Sequence, residues 1–382
     1  MAVGNRRKEQ LDALRGLAAL GFALGSWLSY SIWADIRAVG NLSLLADFVL
    51  VVAGFVVARA HRDQLTASRR VGRYLFARIG RLFPLHAACL AAFLAVDFMI
   101  IAAYGDPRAG GVADFLATLS LIHVFLDGAV VWNAPSWIIA VELHMSVLFA
   151  GLCMLGMMTR PLGRAAALIL VGVALYARLS PSVAVSPVAD LLLRGWVAYM
   201  LGAMLFSFVA IERVRKFMRR LKKKRGALFE AMALIQIPIF VIYAPAWLAP
   251  AAPIVCWFCL LVFVRRTSSV ASLLSNSATQ RLGDLSYAIL LTHSLLIHPA
   301  AGLAASLGPD AAAAAVTVGT PIYLIALIVL AEVALRLVET PTRKAMWTWA
   351  DRAFPPAGAP EPEAAAESPP PPRRTGRRRA QG

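Results

Sequence analysis

A small set of charged and hydroxyl side chains interrupts the apolar stretches of this 382-residue chain, and their types suit acid–base work and anion binding. A charge in hydrocarbon costs roughly 2.5–3.5 kcal/mol even on the most lenient scale, so each needs a reason. Arg15 stands near the start of LDALRGLAAL, and Ser26 follows at i+11. At about 100° per residue that spacing returns to nearly the same helix face, roughly 16 Å further along. Asp47 opens ADFVLVVAGF. In ARIGRLFPLH, Arg78 and Arg81 lie three apart on one helical face. Two forked guanidiniums suit phosphate, because bidentate pairing is what arginine does best. Glu142 sits inside the apolar run of NAPSWIIAVELH, and His144 points about 200° away from it, so the two cannot act from one face. His293 lies mid-span in LGDLSYAILLTHSLLIH, on the same helix as Tyr287. Glu339, Pro341 and Arg343 close the set in VETPTRK. Plainer readings stay open for these residues. Arg15 suits a snorkelling interfacial cation, Asp47 a span boundary, and Arg78 and Arg81 surface anchors. Glu142 and His293 suit hydrogen bonds between neighbouring helices.

The elements that must position these residues are membrane spans. Hydrophobic residues make up 59% of the chain and charged residues 15%, with a mean hydropathy of +0.69. A soluble domain carries about 25% charged residues. About ten apolar stretches, at 11–33, 43–60, 82–104, 136–158, 163–179, 188–210, 227–245, 249–265, 284–305 and 312–338, reach or approach the roughly 20 residues that cross a bilayer. The stretch 112–127 is broken by Asp114, His123 and Asp127 and reads as an interfacial or re-entrant helix. The first apolar run is long and lacks an A-x-A-like exit, so a retained helix is expected rather than a cleaved signal.

Charge then orients the spans. Arg6, Arg7 and Lys8 precede the first. Arg62, Arg69, Arg70, Arg73 and Arg78 fall in the second connection, Arg160 and Arg164 in the fourth, RVRKFMRRLKKKR in the sixth, and Arg265, Arg266 and Arg281 in the eighth. The third mixes Asp106, Arg108, Asp114 and Asp127, and the remaining turns hold only Asp310. Basic loops stay on the cytoplasmic side. An even number of spans then puts both termini in the cytoplasm. The expected fold is an all-α integral membrane protein, a bundle of about ten transmembrane helices over 1–345. A cytoplasmic tail over 346–382, rich in Pro, Ala and Arg, is expected to be disordered. Its basic end suits anionic lipid headgroups or plain solvation. The net charge of +17 therefore belongs to the positive-inside pattern and not to a nucleic-acid partner. Cys89, Cys153, Cys256 and Cys259 all lie in apolar runs and read as packing residues, and the six histidines have no metal-ligand spacing.

In order along the chain, these pieces resemble the membrane-bound acyltransferase 3 family, integral enzymes that O-acylate bacterial surface carbohydrates. LDALRGLAAL is similar to the family's opening L-D-x-L-R-G-x-A-A, and ADFVLVVAGF to G-V-D-L-F-F-V-L-S-G-F, with Ala53 where serine is usual. ARIGRLFPLH resembles R-R-x-x-R-I-x-P-x-Y, with His86 in place of the aromatic. SWIIAVE resembles S-W-S-L-x-V-E, LGDLSYAILLTH resembles L-G-x-x-S-Y-x-L-Y-L-x-H, and ETPTRK matches E-x-P-x-R. The resemblance covers about 10–345 and implies a multi-pass protein of the bacterial inner membrane. It implies catalytic roles for Arg15, Ser26, Asp47, Glu142 and His293. Arg78, Arg81 and Arg343 would hold the phosphates of an acyl-CoA donor, acetyl-CoA first among them. The implied acceptor is a hydroxyl of a cell-envelope glycan or related molecule, with membrane lipids around and no metal required.

One departure matters more than the matches. The family's first helix carries arginine and then, at i+11, the histidine expected to be the catalytic base; here that position is Ser26. A serine hydroxyl cannot deprotonate an alcohol at neutral pH, since a general base needs a pKa near the working pH. Either His293, His144 or His123 takes the role, or Ser26 becomes an acyl relay with a base beside it. The relay needs a base of its own, so the histidines are preferred. The alternative is a non-catalytic member, a binding or scaffold protein that lost its base.

Overall fold

The computed structural model describes residues 2–65, 68–104, 110–128, 131–264, 273–305 and 307–354, and every regular element among them is helical. The chain runs α1 (Ala2–Leu28), α2 (Arg37–Asn41), α3 (Leu45–His61), α4 (Ser68–Tyr104), α5 (Val112–Leu119), α6 (Ser136–Met154), α7 (Pro161–Leu179) and α8 (Pro187–Ala210). It continues through α9 (Glu212–Tyr243), α10 (Ala252–Val264), α11 (Ser277–Ala305), α12 (Pro309–Ala334) and α13 (Thr340–Ala353). Among the described residues, nine helical segments are long and apolar enough to cross a membrane. The further expected stretch, 284–305, lies in α11, which is 29 residues long. Between α4 and α6, α5 and a 3-10 turn at His123–Phe125 replace a span; at 8 residues α5 is too short to cross.

Two basic connections are not loops. Arg69, Arg70, Arg73 and Arg78 already belong to α4, which starts at Ser68, and RVRKFMRRLKKKR forms the first half of α9. Arginine and lysine are good helix formers, so nothing stops a span from continuing past its apolar part. Arg78 in consequence lies well inside a helix and is buried, where the sequence places it in a surface loop. At the far end α13 runs to Ala353, past the expected start of the tail at 346; its Met346 and the Phe354 that follows it pack over Gly80 and Gly72 of α4. Residues 355–382, and with them the rest of the tail, lie outside the described residues, as do Asp106, Arg108, Arg265 and Arg266.

The core is built around two intimate crossings. A Cβ on Gly16 of α1 would stand 2.5 Å from the Leu282 carbonyl of α11, and one on Gly283 would stand 2.5 Å from Asp12. At the second crossing a Cβ on Gly54 of α3 would meet the Tyr199 carbonyl of α8 at 1.9 Å, and one on Gly202 would meet the Val51 carbonyl at 1.9 Å. Backbones packed this closely are how membrane helices associate when lipid removes the hydrophobic drive between them. The first crossing fixes α1 against α11, the two helices that carry Arg15, Ser26 and His293.

Candidate active site

Arg15 points into the bundle. Its Nε donates to Ser286 Oγ at 2.8 Å, Nη2 donates to the Gly283 carbonyl at 3.2 Å, and Asp12 stands 3.4 Å away. The snorkelling reading therefore does not hold. LGDLSY of α11 is a receptor for this guanidinium: Gly283 lets α1 approach, Ser286 accepts, and Tyr287 donates to the Leu82 carbonyl of α4. Three helices meet there.

Next to Arg15, Arg78 of α4 donates to Glu142 Oε1 of α6 at 2.6 Å and to Ser146 Oγ at 3.0 Å, and Ser146 meets Tyr199 OH at 3.1 Å. Both members of the ion pair are buried. Arg78 is thus committed to Glu142 and is not a free member of the arginine pair that the sequence offers for phosphate. Arg81 Nε is buried without a hydrogen-bond partner among the described residues. Arg15, Arg78, Arg81, Glu142, Ser286 and Tyr287 line a narrow cleft of about 30 Å³, room for a water molecule. Arg343 does not line it; its Nη1 lies 3.6 Å from Oε1 of buried Glu339, which sits on a π-turn at Leu335–Glu339.

Ser26 and His293 face a second, larger space. It measures about 510 Å³ and is lined also by Ser29, Tyr30, Gly110 and Trp132, toward the end of α1 opposite Arg15. Among the described residues the two cavities share no lining residue, although α1 and α11 serve both. His293 Nδ1 lies 3.2 and 3.0 Å from the Ile289 and Leu290 carbonyls, and its ring stands edge-on to Phe22 at 5.5 Å. Carbonyls only accept, so Nδ1 carries a proton, and in the neutral ring Nε2 keeps the lone pair. Ser26 Oγ donates to the Phe22 carbonyl at 3.2 Å. Of the three histidines considered as replacements for the base, His293 shares a cavity with Ser26. His144 Nδ1 meets the Ala140 carbonyl at 2.6 Å beside Phe125, and His123 Nε2 meets Ser136 Oγ at 3.2 Å, both outside this lining.

Asp47 does not reach Ser26. It makes a bidentate pair with Arg194 of α8, at 2.7 and 3.2 Å, and the Arg194 guanidinium stacks 4.9 Å from the centre of the Trp137 ring. Trp137 in turn forms part of the cavity wall. Asp47 is thus linked through Arg194 to a wall of the cavity. Sequence reasoning passed over Arg194, Asn133, Asp97 and His298. Asn133 Nδ2 donates to the Leu291 carbonyl at 3.2 Å and its Oδ1 accepts from Ser294 at 2.7 Å, pinning the loop before α6 to α11. Arg194 and Asp97 are charges inside apolar runs, the same signal that singled out Glu142.

The arrangement offers a basic cleft at one end of α1 and α11 and a roomy polar and aromatic chamber at the other. A family model described as an acyltransferase domain matches residues 8–334, a stretch that holds every residue of both linings. No curated protein and no solved structure matches the chain.

Proposed function

The chain belongs to the acyltransferase 3 family, and we propose that it carries an acyl group, acetyl in the first instance, from cytoplasmic acyl-CoA to a hydroxyl of a cell-envelope glycan. The observation that carries the reading is the pairing of Ser26 and His293 on one 510 Å³ chamber, built on the same two helices as a basic cleft set around Arg15 and Arg81. In this reading the protein lies in the bacterial inner membrane with both termini in the cytoplasm, as its basic connections favour.

The donor enters at the cleft. Arg81, whose Nε lacks a partner among the described residues, and Arg15 meet the phosphates of acyl-CoA, while Arg78 and Glu142 hold α4 to α6 behind them. The acceptor enters the chamber, where Tyr30, Trp132 and Trp137 give flat apolar faces and Ser26, Ser294 and His293 give polar contacts. A few polar groups converging in an apolar pocket fix a ligand's orientation. The acceptor oxygen loses its proton and attacks the thioester carbon, the C–S bond breaks, and the released CoA sulfur takes a proton. For the acyl group to arrive, the layer between Phe22 on the chamber side and Leu290 on the cleft side must part.

The second reading, a non-catalytic family member, has its own observation. Ser26 spends its hydroxyl proton on its own helix, and the cleft holds about 30 Å³. Transfer of label from radioactive acetyl-CoA by the purified protein in lipid separates the two: ester formation that Arg15→Ala abolishes favours the transferase, and tight acetyl-CoA binding without turnover favours the binding protein.

A further inference from the structure

Two residues that the proposed reaction leaves idle line the same chamber as Ser26 and His293. Asp97 comes from α4 and is buried; His298 comes from α11, five positions after His293, with its side chain 28% exposed. His298 Nε2 lies 3.3 Å from Asp97 Oδ1, and the Phe93 ring, one turn back on α4, stands 5.6 Å from the imidazole. An aspartate within an apolar span is costly and is retained where it pairs or works.

The chemistry of the pair is directional. A carboxylate oxygen accepts, so in the neutral imidazole the Nε2 that faces Asp97 carries the proton and Nδ1 keeps the lone pair. When that lone pair takes a proton, the neighbouring carboxylate stabilises the imidazolium and holds the ring in place, the part an aspartate plays behind a catalytic histidine. Among the described residues His293 has no such partner. Its Nδ1 is spent on two carbonyls of its own helix, and its residue is 1% exposed, against the more open ring of His298.

Resting on the transferase reading, the geometry points to Asp97 and His298 as the general-base couple that serves the acceptor hydroxyl in place of the first-helix histidine that Ser26 displaces. His298 is the catalytic residue and Asp97 the positioning residue. His298 Nδ1 takes the proton of the acceptor hydroxyl as its oxygen bonds to the thioester carbon. The C–S bond breaks, and the proton passes from His298 to the departing CoA thiolate, so that ester and thiol form with nothing oxidised or reduced. Ser26 and His293 contact the acceptor and orient it.

The test uses the full-length protein in lipid vesicles, acetyl-CoA as donor and a methyl hexopyranoside as acceptor, following thiol release and ester formation. His298→Gln and Asp97→Asn each lower kcat about 100-fold or more, the range that general bases contribute, while acetyl-CoA binding and its KM stay within about twofold. Asp97→Glu, which keeps the carboxylate, recovers a substantial share of kcat; a purely structural aspartate gives no such split between kcat and KM. Wild-type transfer that survives His298→Gln within about threefold, or that His293→Gln abolishes while His298→Gln does not, overturns the couple and leaves the transferase reading standing. A wild-type protein that binds acetyl-CoA and releases no thiol overturns the transferase reading and the couple with it.

Discussion

Arg78 and Glu142, 64 positions apart in the chain, meet at 2.6 Å in the middle of the bundle and are both buried. Removing one partner of a buried ion pair strands the other charge, which costs about 3–5 kcal/mol, whereas replacing both by apolar groups is close to neutral. Arg78→Met or Glu142→Leu alone is therefore expected to lower unfolding stability in lipid by about that amount, and the double variant to recover most of it. A chemical unfolding series in nanodiscs reads the difference. Equal stability of the single and double variants would show that the pair does not hold α4 to α6.

The helix crossings give a sharper stability prediction. Gly202 faces the Val51 carbonyl so closely that a Cβ there would come within 1.9 Å of it. Gly202→Ala forces α3 and α8 apart along their length and is expected to abolish the monodisperse folded protein. Gly172→Ala on α7, where a Cβ meets nothing within 4 Å among the described residues, is expected to leave yield and thermal stability unchanged. Size-exclusion profiles of the two variants decide this.

Arg81 carries the donor prediction. With its Nε lacking a partner among the described residues, Arg81→Ala is expected to raise the Kd for acetyl-CoA about tenfold or more, the 1.5–3 kcal/mol of a charge-assisted hydrogen bond. Arg343→Ala, a residue exposed outside the cleft, is expected to change it by less than about twofold. Titration by calorimetry in detergent checks both. An unchanged Kd in Arg81→Ala would move the phosphate site elsewhere.

Asp47 is expected to act on the acceptor side alone. Asp47→Asn weakens the hold on Arg194, and Trp137 loses the cation on its face, so the chamber wall loosens. A severalfold rise in acceptor KM with acetyl-CoA KM unaltered follows. A shift in both constants would mean that Asp47 supports the cleft as well.

How much of this was legible in the sequence differs from one feature to the next. The apolar stretches, their helical state and the failure of 112–127 to form a span follow from length and pattern, because a bilayer leaves the backbone few choices. Arg15 and Ser26 at i+11 and His293 mid-span were legible as candidates, since charge and polarity inside apolar runs stand out. Their sorting into two cavities was not. Periodicity names the face of a helix and says nothing of the helix it meets, so neither Arg78–Glu142 nor Asp47–Arg194 could be paired in advance. The basic runs misled for a different reason: charge marks the side of the membrane, and α4 and α9 continue as helix straight through it. Asp97, Arg194 and His298 carried the same signal as Glu142 and needed only the same attention.

The most direct measurement is acyl transfer from radiolabelled acetyl-CoA by the purified wild-type protein in lipid, with Arg15→Ala and Ser26→His beside it. The transferase reading predicts ester formation by wild type, its loss in Arg15→Ala, and no dependence on restoring a histidine at position 26. An inert wild type that gains turnover through Ser26→His would contradict it, and would make this chain a family member that lost its base and kept its binding site.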